Sequence, residues 1–176
     1  MRIFLLSAVL ATALSTPPVV SAEEFAAMTI ERMAELLNRL GTEVIGADGR
    51  WRLVLGGRAV MIFTDPAHDR MRIMSHVTAA DALDDELRTR VLQANFDSAL
   101  DARYAIAQGT LWSAFIHPLS SLSEHDFLAG LGQVVNLANT YGTTYSSGLL
   151  MFRGGDSEAE LQREFIDELI RKGLSI

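Results

Sequence analysis

Four histidines, His68, His76, His117 and His125, are the residues of this chain best suited to chemistry near neutral pH, because imidazole can ligate a metal or carry a proton there. Their spacing argues against both roles. His68 lies in the turn DPAHDR, His76 ends a β-rich run, His117 precedes Pro118, and His125 falls in the first turn of an expected helix. No two of them share a helix face at the spacing a zinc helix such as HExxH requires. One enzymatic route stays open, a site assembled only by folding from His76 or His117 with Asp81 or Asp65. Thiolate catalysis and disulfides are excluded, since the chain contains no cysteine.

Ser75, Ser113, Ser120, Ser121 and Ser123 are available as nucleophiles, yet none sits in a GxSxG elbow that would expose an activated hydroxyl. Gly56-Gly57 and Gly154-Gly155 lack the spacing and the following lysine of a phosphate loop, and are simpler as a hairpin turn and a hinge. Asp84, Asp85 and Glu86 lack the alternation of a calcium loop, and a place at the positive end of a helix explains them without a cation. The expected chain is therefore not an enzyme, with no catalytic, metal or cofactor residues and no cofactor.

The elements that would position these residues follow a leader. MRIFLLSAVLATALSTPPVVSA has Arg2, an apolar run from Ile3 to Leu14, a Pro17-Pro18 break and small residues before a cut after Ala22, the layout of a signal peptide. The apolar run is too short to span a bilayer, which needs about 20 residues. Glu23 follows the cut where a lipoprotein would have cysteine, so the expectation is release into the periplasm or medium with no membrane span. Loss of Arg2 leaves the mature chain one unit more negative than the formal -7 of the whole sequence. No basic patch is visible in the order of residues, which argues against a nucleic-acid partner.

Residues 26–40 place Ile30, Met33, Leu36, Leu37 and Leu40 on one stripe of a helix closed by Gly41. From Thr42 the short β-rich runs TEVIGA, WRLVL, AVMIFT and RMRIMSHV are punctuated by Asp48-Gly49, Gly56-Gly57 and Asp65-Pro66, which predicts an antiparallel meander of three or four strands. LDDELRTRVLQAN predicts a second helix with Leu83, Leu87, Val91 and Ala94 on one side. RYAIA and LWSAFIHPL predict a hairpin across Gln108-Gly109, and Phe127 to Tyr141 a long third helix whose Gly130, Gly132 and Ala138 permit close approach. After Arg153-Gly154-Gly155-Asp156, Leu161, Phe165 and Leu169 recur every four residues, with Ile166 and Ile170 widening the stripe, through a tail helix from Ser157 to Arg171, opened by a capping box from Ser157 to Glu160. The expected fold is α+β: an antiparallel five-stranded sheet flanked by helices, ordered α-βββ-α-ββ-α with a C-terminal helix. The expected organisation is a leader at 1–22, one domain at 23–152, and a glycine hinge with an amphipathic helix at 153–176.

Regular alternation sets Trp112 and Phe115 on opposite faces of one strand, so one of them has to meet a third layer, the tail helix or a partner. Trp112, Phe115, Leu161, Phe165 and Leu169 are accordingly the expected partner-binding residues, and self-association, a dimer, is expected of a sheet with large side chains on both faces.

The leading LLNRLG, the runs GRWRLVL and AVMIFT, and above all LRTRVLQANFDSALDARYAIAQGTLWSAFIHPLSSLSEHDFLAGLGQVVNLA resemble the bacterial YbjN family, described as sensory transduction regulators and similar in fold to type III secretion chaperones. The likeness runs from about Ile30 to Tyr145. Leu92, Asn95 and Phe96 take the place of that family's helix end. The resemblance implies a helix-flanked antiparallel sheet, frequent homodimers and, in the chaperone relatives, a surface for an extended partner segment. It carries no catalytic residues. The expected function is an exported, non-catalytic protein-binding or chaperone-like module, dimeric or paired with another exported protein. The alternatives are a periplasmic enzyme with the assembled His/Asp site and a structural envelope component.

Overall fold

The structure is a computed structural model that describes residues 27–97, 99–142 and 156–175, with side chains from Leu161 onward in the last stretch. The leader, the glycine pair Gly154-Gly155 and the side chains of the tail helix's capping box fall outside what is described. The chain begins with α1 (Ile30–Arg39), capped by the Thr29 hydroxyl, which accepts from the Arg32 amide at 3.1 Å. Four strands follow as hairpins: β1 (Val44–Ala47), β2 (Arg50–Leu55), β3 (Arg58–Asp65) and β4 (Arg70–Ala79). Helix α2 (Asp85–Asp97) then crosses over to β5 (Arg103–Ala107), and β6 (Thr110–His117) returns between β4 and β5. Helices α3 (Glu124–Asn139) and α4 (Asp156–Leu174) complete the chain.

The sheet is antiparallel throughout, in the order β1-β2-β3-β4-β6-β5, so it has six strands where five were expected. The sixth is β1, the TEVIGA run. Asp48 and Gly49, both at positive φ, make a two-residue turn that carries Ala47 back opposite Arg50, and a strand of four residues needs little more.

Alternation along the strands divides the sheet cleanly. Trp51, Leu53 and Leu55 of β2, Val60 and Ile62 of β3, Met71, Ile73 and Ser75 of β4, Tyr104 of β5 and Leu111, Ser113 and Phe115 of β6 are all buried on one face. Helices α1 and α3 cover that face with Met33, Leu36 and Leu37 and with Phe127, Leu128, Leu131, Val134 and Val135. An Arg32–Glu124 ion pair, with two hydrogen bonds from the guanidinium, ties the two helices at the start of α3. The guanidinium holds the Glu124 carboxyl below its ordinary range.

Helix α4 forms a third layer, on α3 rather than on the sheet. Ile166 packs where Gly132 leaves room, Leu128 packs against Gly173, and Asn136 Nδ2 donates to the Gln162 carbonyl at 2.9 Å. Arg39 of α1 donates to the Gly173 and Ser175 carbonyls, placing a cation at the negative end of α4. The docking expected of Leu161, Phe165 and Leu169 is therefore realised in part. Leu169 is 4% exposed, Phe165 packs partly buried near Gly56, and Ile166 and Ile170 of the same stripe join the contact, but Leu161 is 64% exposed.

Candidate functional site

The residues with chemical potential are dispersed. His68 Nδ1 lies 2.8 Å from the Asp65 carboxylate, which that contact holds below its ordinary pKa, but the pair stands exposed on the β3–β4 turn. His117 stacks on the Phe115 ring and bonds the Pro118 carbonyl through Nδ1. His76 meets Trp112 edge-on at 6.0 Å. Neither His76 nor His117 is bonded to Asp65 or Asp81, and among the described residues no three potential metal ligands converge. The serines have structural partners or none: Ser75 donates to the Ala59 carbonyl, Ser120 to Asp69, Ser123 caps α3, and the Ser113 hydroxyl is buried without a bond. No helix of the described residues is long and apolar enough to cross a membrane.

What the fold builds instead is a surface. The face of the sheet opposite α1 and α3 carries no helix among the described residues. Register sets its side chains in two rows across the strands. One runs Ala47, Arg50, Phe63, Arg72 and Ile116; the next runs Ile45, Arg52, Met61, Met74, Ala114 and Arg103. Val54, His76 and Trp112 extend it toward the other end. Phe63 is 43% and Ile116 50% exposed, and Ile45 and Val54 are likewise open to solvent. The face is thus apolar and basic together. Arg50, Arg52, Arg70, Arg72 and Arg103 stand on it, against Asp65 as the sole carboxylate its strands carry, in a chain of formal charge -7.

The expectation that no basic patch exists is corrected here. The arginines come from three strands, β2, β4 and β5, so they are scattered in the chain and gathered only by the sheet. A signal was present in RWR and RMR, since arginines two apart on a strand share a face.

The two edges of the sheet differ. At β5 the Asn95 side chain of α2 mimics a neighbouring strand, accepting from the Tyr104 amide at 2.7 Å and donating to its carbonyl at 3.1 Å. That closes β5 to further pairing. At the other edge β1 pairs only with β2 among the described residues. Beside it a cleft of about 320 Å³ opens between α1 and β1, lined by Ile30, Ala34, Asn38, Val44, Gly46 and Trp51 among others.

Of the five residues expected to bind a partner, Trp112 alone lies on the open face, its indole donating to the Ala107 carbonyl at 3.2 Å. Phe115 is buried beneath α3, Phe165 and Leu169 lie on the buried side of α4, and Leu161 is exposed on it. They form no common surface. Sequence reasoning missed Ile116 and the arginines around it. It also missed a second exposed apolar group, Leu92 and Phe96 on α2 with Leu100 beyond it, where Phe96 is 89% exposed.

No family model matches the chain, and no curated protein matches it. The likeness to the YbjN family therefore gains no support from sequence comparison. The fold has parallels among solved structures. A chain in the crystal structure of the ExsC–ExsE complex aligns with a TM-score of 0.53 at 16% identity, over 68% of this chain and 95% of that one. A chain in the structure of the HopA1–SchA chaperone–effector complex aligns with a TM-score of 0.48 at 12% identity, over 61% and 87%. At 16% identity the likeness to the ExsC–ExsE chain is one of fold.

Proposed function

We propose that this chain is a non-catalytic, chaperone-like module that binds a segment of another protein on the open face of its sheet. The observation that carries the reading is that face itself: Ile45, Val54, Phe63 and Ile116 stand exposed where three helices have been spent on the opposite side. Support comes from the fold shared with a chain found in a two-protein complex, ExsC–ExsE. In this reading the chain is exported, cut after Ala22, and meets its partner in the periplasm or beyond. The test is to recover the tagged mature protein from the envelope fraction beside a Phe63→Ser/Ile116→Ser variant. A stoichiometric protein retained by the first and lost from the second, with equal melting temperatures, is the expected result. Equal retention by both would refute this use of the face.

The same reading includes self-association, through Leu92 and Phe96 of α2. An exposed phenylalanine one helical turn from an exposed leucine forms an apolar ridge that a second copy can cover. Light scattering at micromolar concentration is expected to give about twice the monomer mass, and Phe96→Asp the monomer mass. A monomer across a hundredfold concentration range in the unaltered protein would end the dimer proposal.

A further inference from the structure

We infer that the segment bound on the open face is acidic as well as apolar, with carboxylates alternating with or flanking its apolar side chains. This inference rests on the protein-binding reading above and adds the chemistry of the ligand. Phe63 lies between Arg50 on one neighbouring strand and Arg72 on the other, and Ile116 lies beyond Arg72 in the same row. In the adjacent row Arg52 stands beside Ile45 and Met61. Phe63, Ile116, Ile45 and Met61 therefore each have a guanidinium as neighbour across the ladder, whereas Val54 faces Ala59.

Those guanidiniums are uncommitted. Arg50, Arg52, Arg70 and Arg72 are exposed and make no side-chain hydrogen bond or ion pair among the described residues, whereas Arg32, Arg39, Arg58 and Arg88 are all engaged. Asp65, the carboxylate at the end of the face, is already held by His68. A purely apolar ligand would leave four guanidiniums partly desolvated without partners, which is costly. Carboxylates in the ligand would pair with them bidentately, a geometry that the planar fork favours. The net negative charge of the whole chain would meanwhile repel acidic molecules that do not present apolar groups in register.

A nucleic acid would also bring anions to arginines and stacking partners to Phe63 and Trp112. The aliphatic share of the face, Ile45, Val54, Met61, Met74 and Ile116, favours a peptide, because bases stack on aromatic rather than branched side chains.

The experiment measures binding of the full mature protein to three labelled peptides of about twelve residues, in which Glu, Gln or Lys alternates with Leu, and to a single-stranded oligonucleotide of similar length. The Glu peptide is expected to bind at least tenfold more tightly than the Gln peptide and to weaken as salt rises from 50 to 300 mM. The Lys peptide and the oligonucleotide are expected to bind more weakly still. An Arg52→Glu/Arg72→Glu variant is expected to reverse the order of the Glu and Lys peptides at an unchanged melting temperature, since neither side chain supports the fold by a bond. Equal affinity for the Glu and Gln peptides, both lost in Phe63→Ser/Ile116→Ser, would overturn the acidic inference and leave the protein-binding reading standing. Glu-peptide binding that survives Phe63→Ser/Ile116→Ser would overturn that reading instead. Tighter binding of the oligonucleotide, or no binding of any peptide, would overturn the inference outright.

Discussion

Leu169→Ala is expected to destabilise the mature protein by about 2–5 kcal/mol, the range for truncating an enclosed leucine. Leu169 is 4% exposed, on the one stripe by which α4 contacts the rest of the molecule, so its loss leaves a cavity rather than a patch of surface. Leu161→Ala, eight residues earlier on the same helix, is expected to change stability by no more than about 0.5 kcal/mol because that side chain already faces solvent. Phe165→Ala should fall between them, its ring being partly buried near Gly56. Urea unfolding followed by circular dichroism at two protein concentrations checks this order. The loss for Leu169→Ala should be the same at both concentrations, since α4 docks within its own chain. A loss that shrank as concentration rose would assign the helix to a neighbouring copy, and equal effects at Leu161 and Leu169 would refute the docking altogether.

The second large effect concerns the seam between α3 and the sheet. A Cβ on Gly130 would lie 2.8 Å from the Phe115 ring, and that ring is buried and has little room to turn aside. Gly130→Val is therefore expected to cost about 3 kcal/mol, at the upper end of overpacking penalties. The gain in helix propensity, at most about 1 kcal/mol for replacing glycine, is too small to offset it. Adding Phe115→Leu should return part of the loss, a coupling that two unrelated sites would not show. If the double variant is simply the sum of its parts, the close approach is not what Gly130 serves.

Much of the fold was legible from local signals. The stripe of Met33, Leu36, Leu37 and Leu40 marked α1, the dipeptides Asp48-Gly49, Gly56-Gly57 and Gln108-Gly109 marked three hairpins, and Ser123 marked the start of α3. Each of these depends on side chains within a few residues of one another. The strand count was less legible. TEVIGA is short and ends in small residues, and its pairing is decided by the turn that follows it rather than by its own pattern. The tail helix was legible as an element, and so was most of its contact stripe, Phe165, Ile166, Leu169 and Ile170, but the exposure of Leu161 was not, because a four-residue recurrence defines a stripe only to within a neighbouring row. The row that docks is the one containing Ile166 and Leu169, chosen by the gap at Gly132 on α3.

Alternation in LWSAFIHPL determined from sequence alone that Trp112 and Phe115 lie on opposite faces, and that one face of the sheet would need a cover. Which face was covered was decided only in three dimensions, by α1 and α3 packing together on the side of Phe115 and by α4 settling on α3. The candidate site belongs wholly to that level. Arg50, Phe63, Arg72 and Ile116 come from four strands separated by turns and a helix, and strand register, a long-range hydrogen-bonding choice, sets them side by side. A chain can declare in its local order which way each side chain faces. Its neighbours across a sheet are fixed by which strands pair, and β6 entering between β4 and β5 is the choice that brought Ile116 beside Arg72.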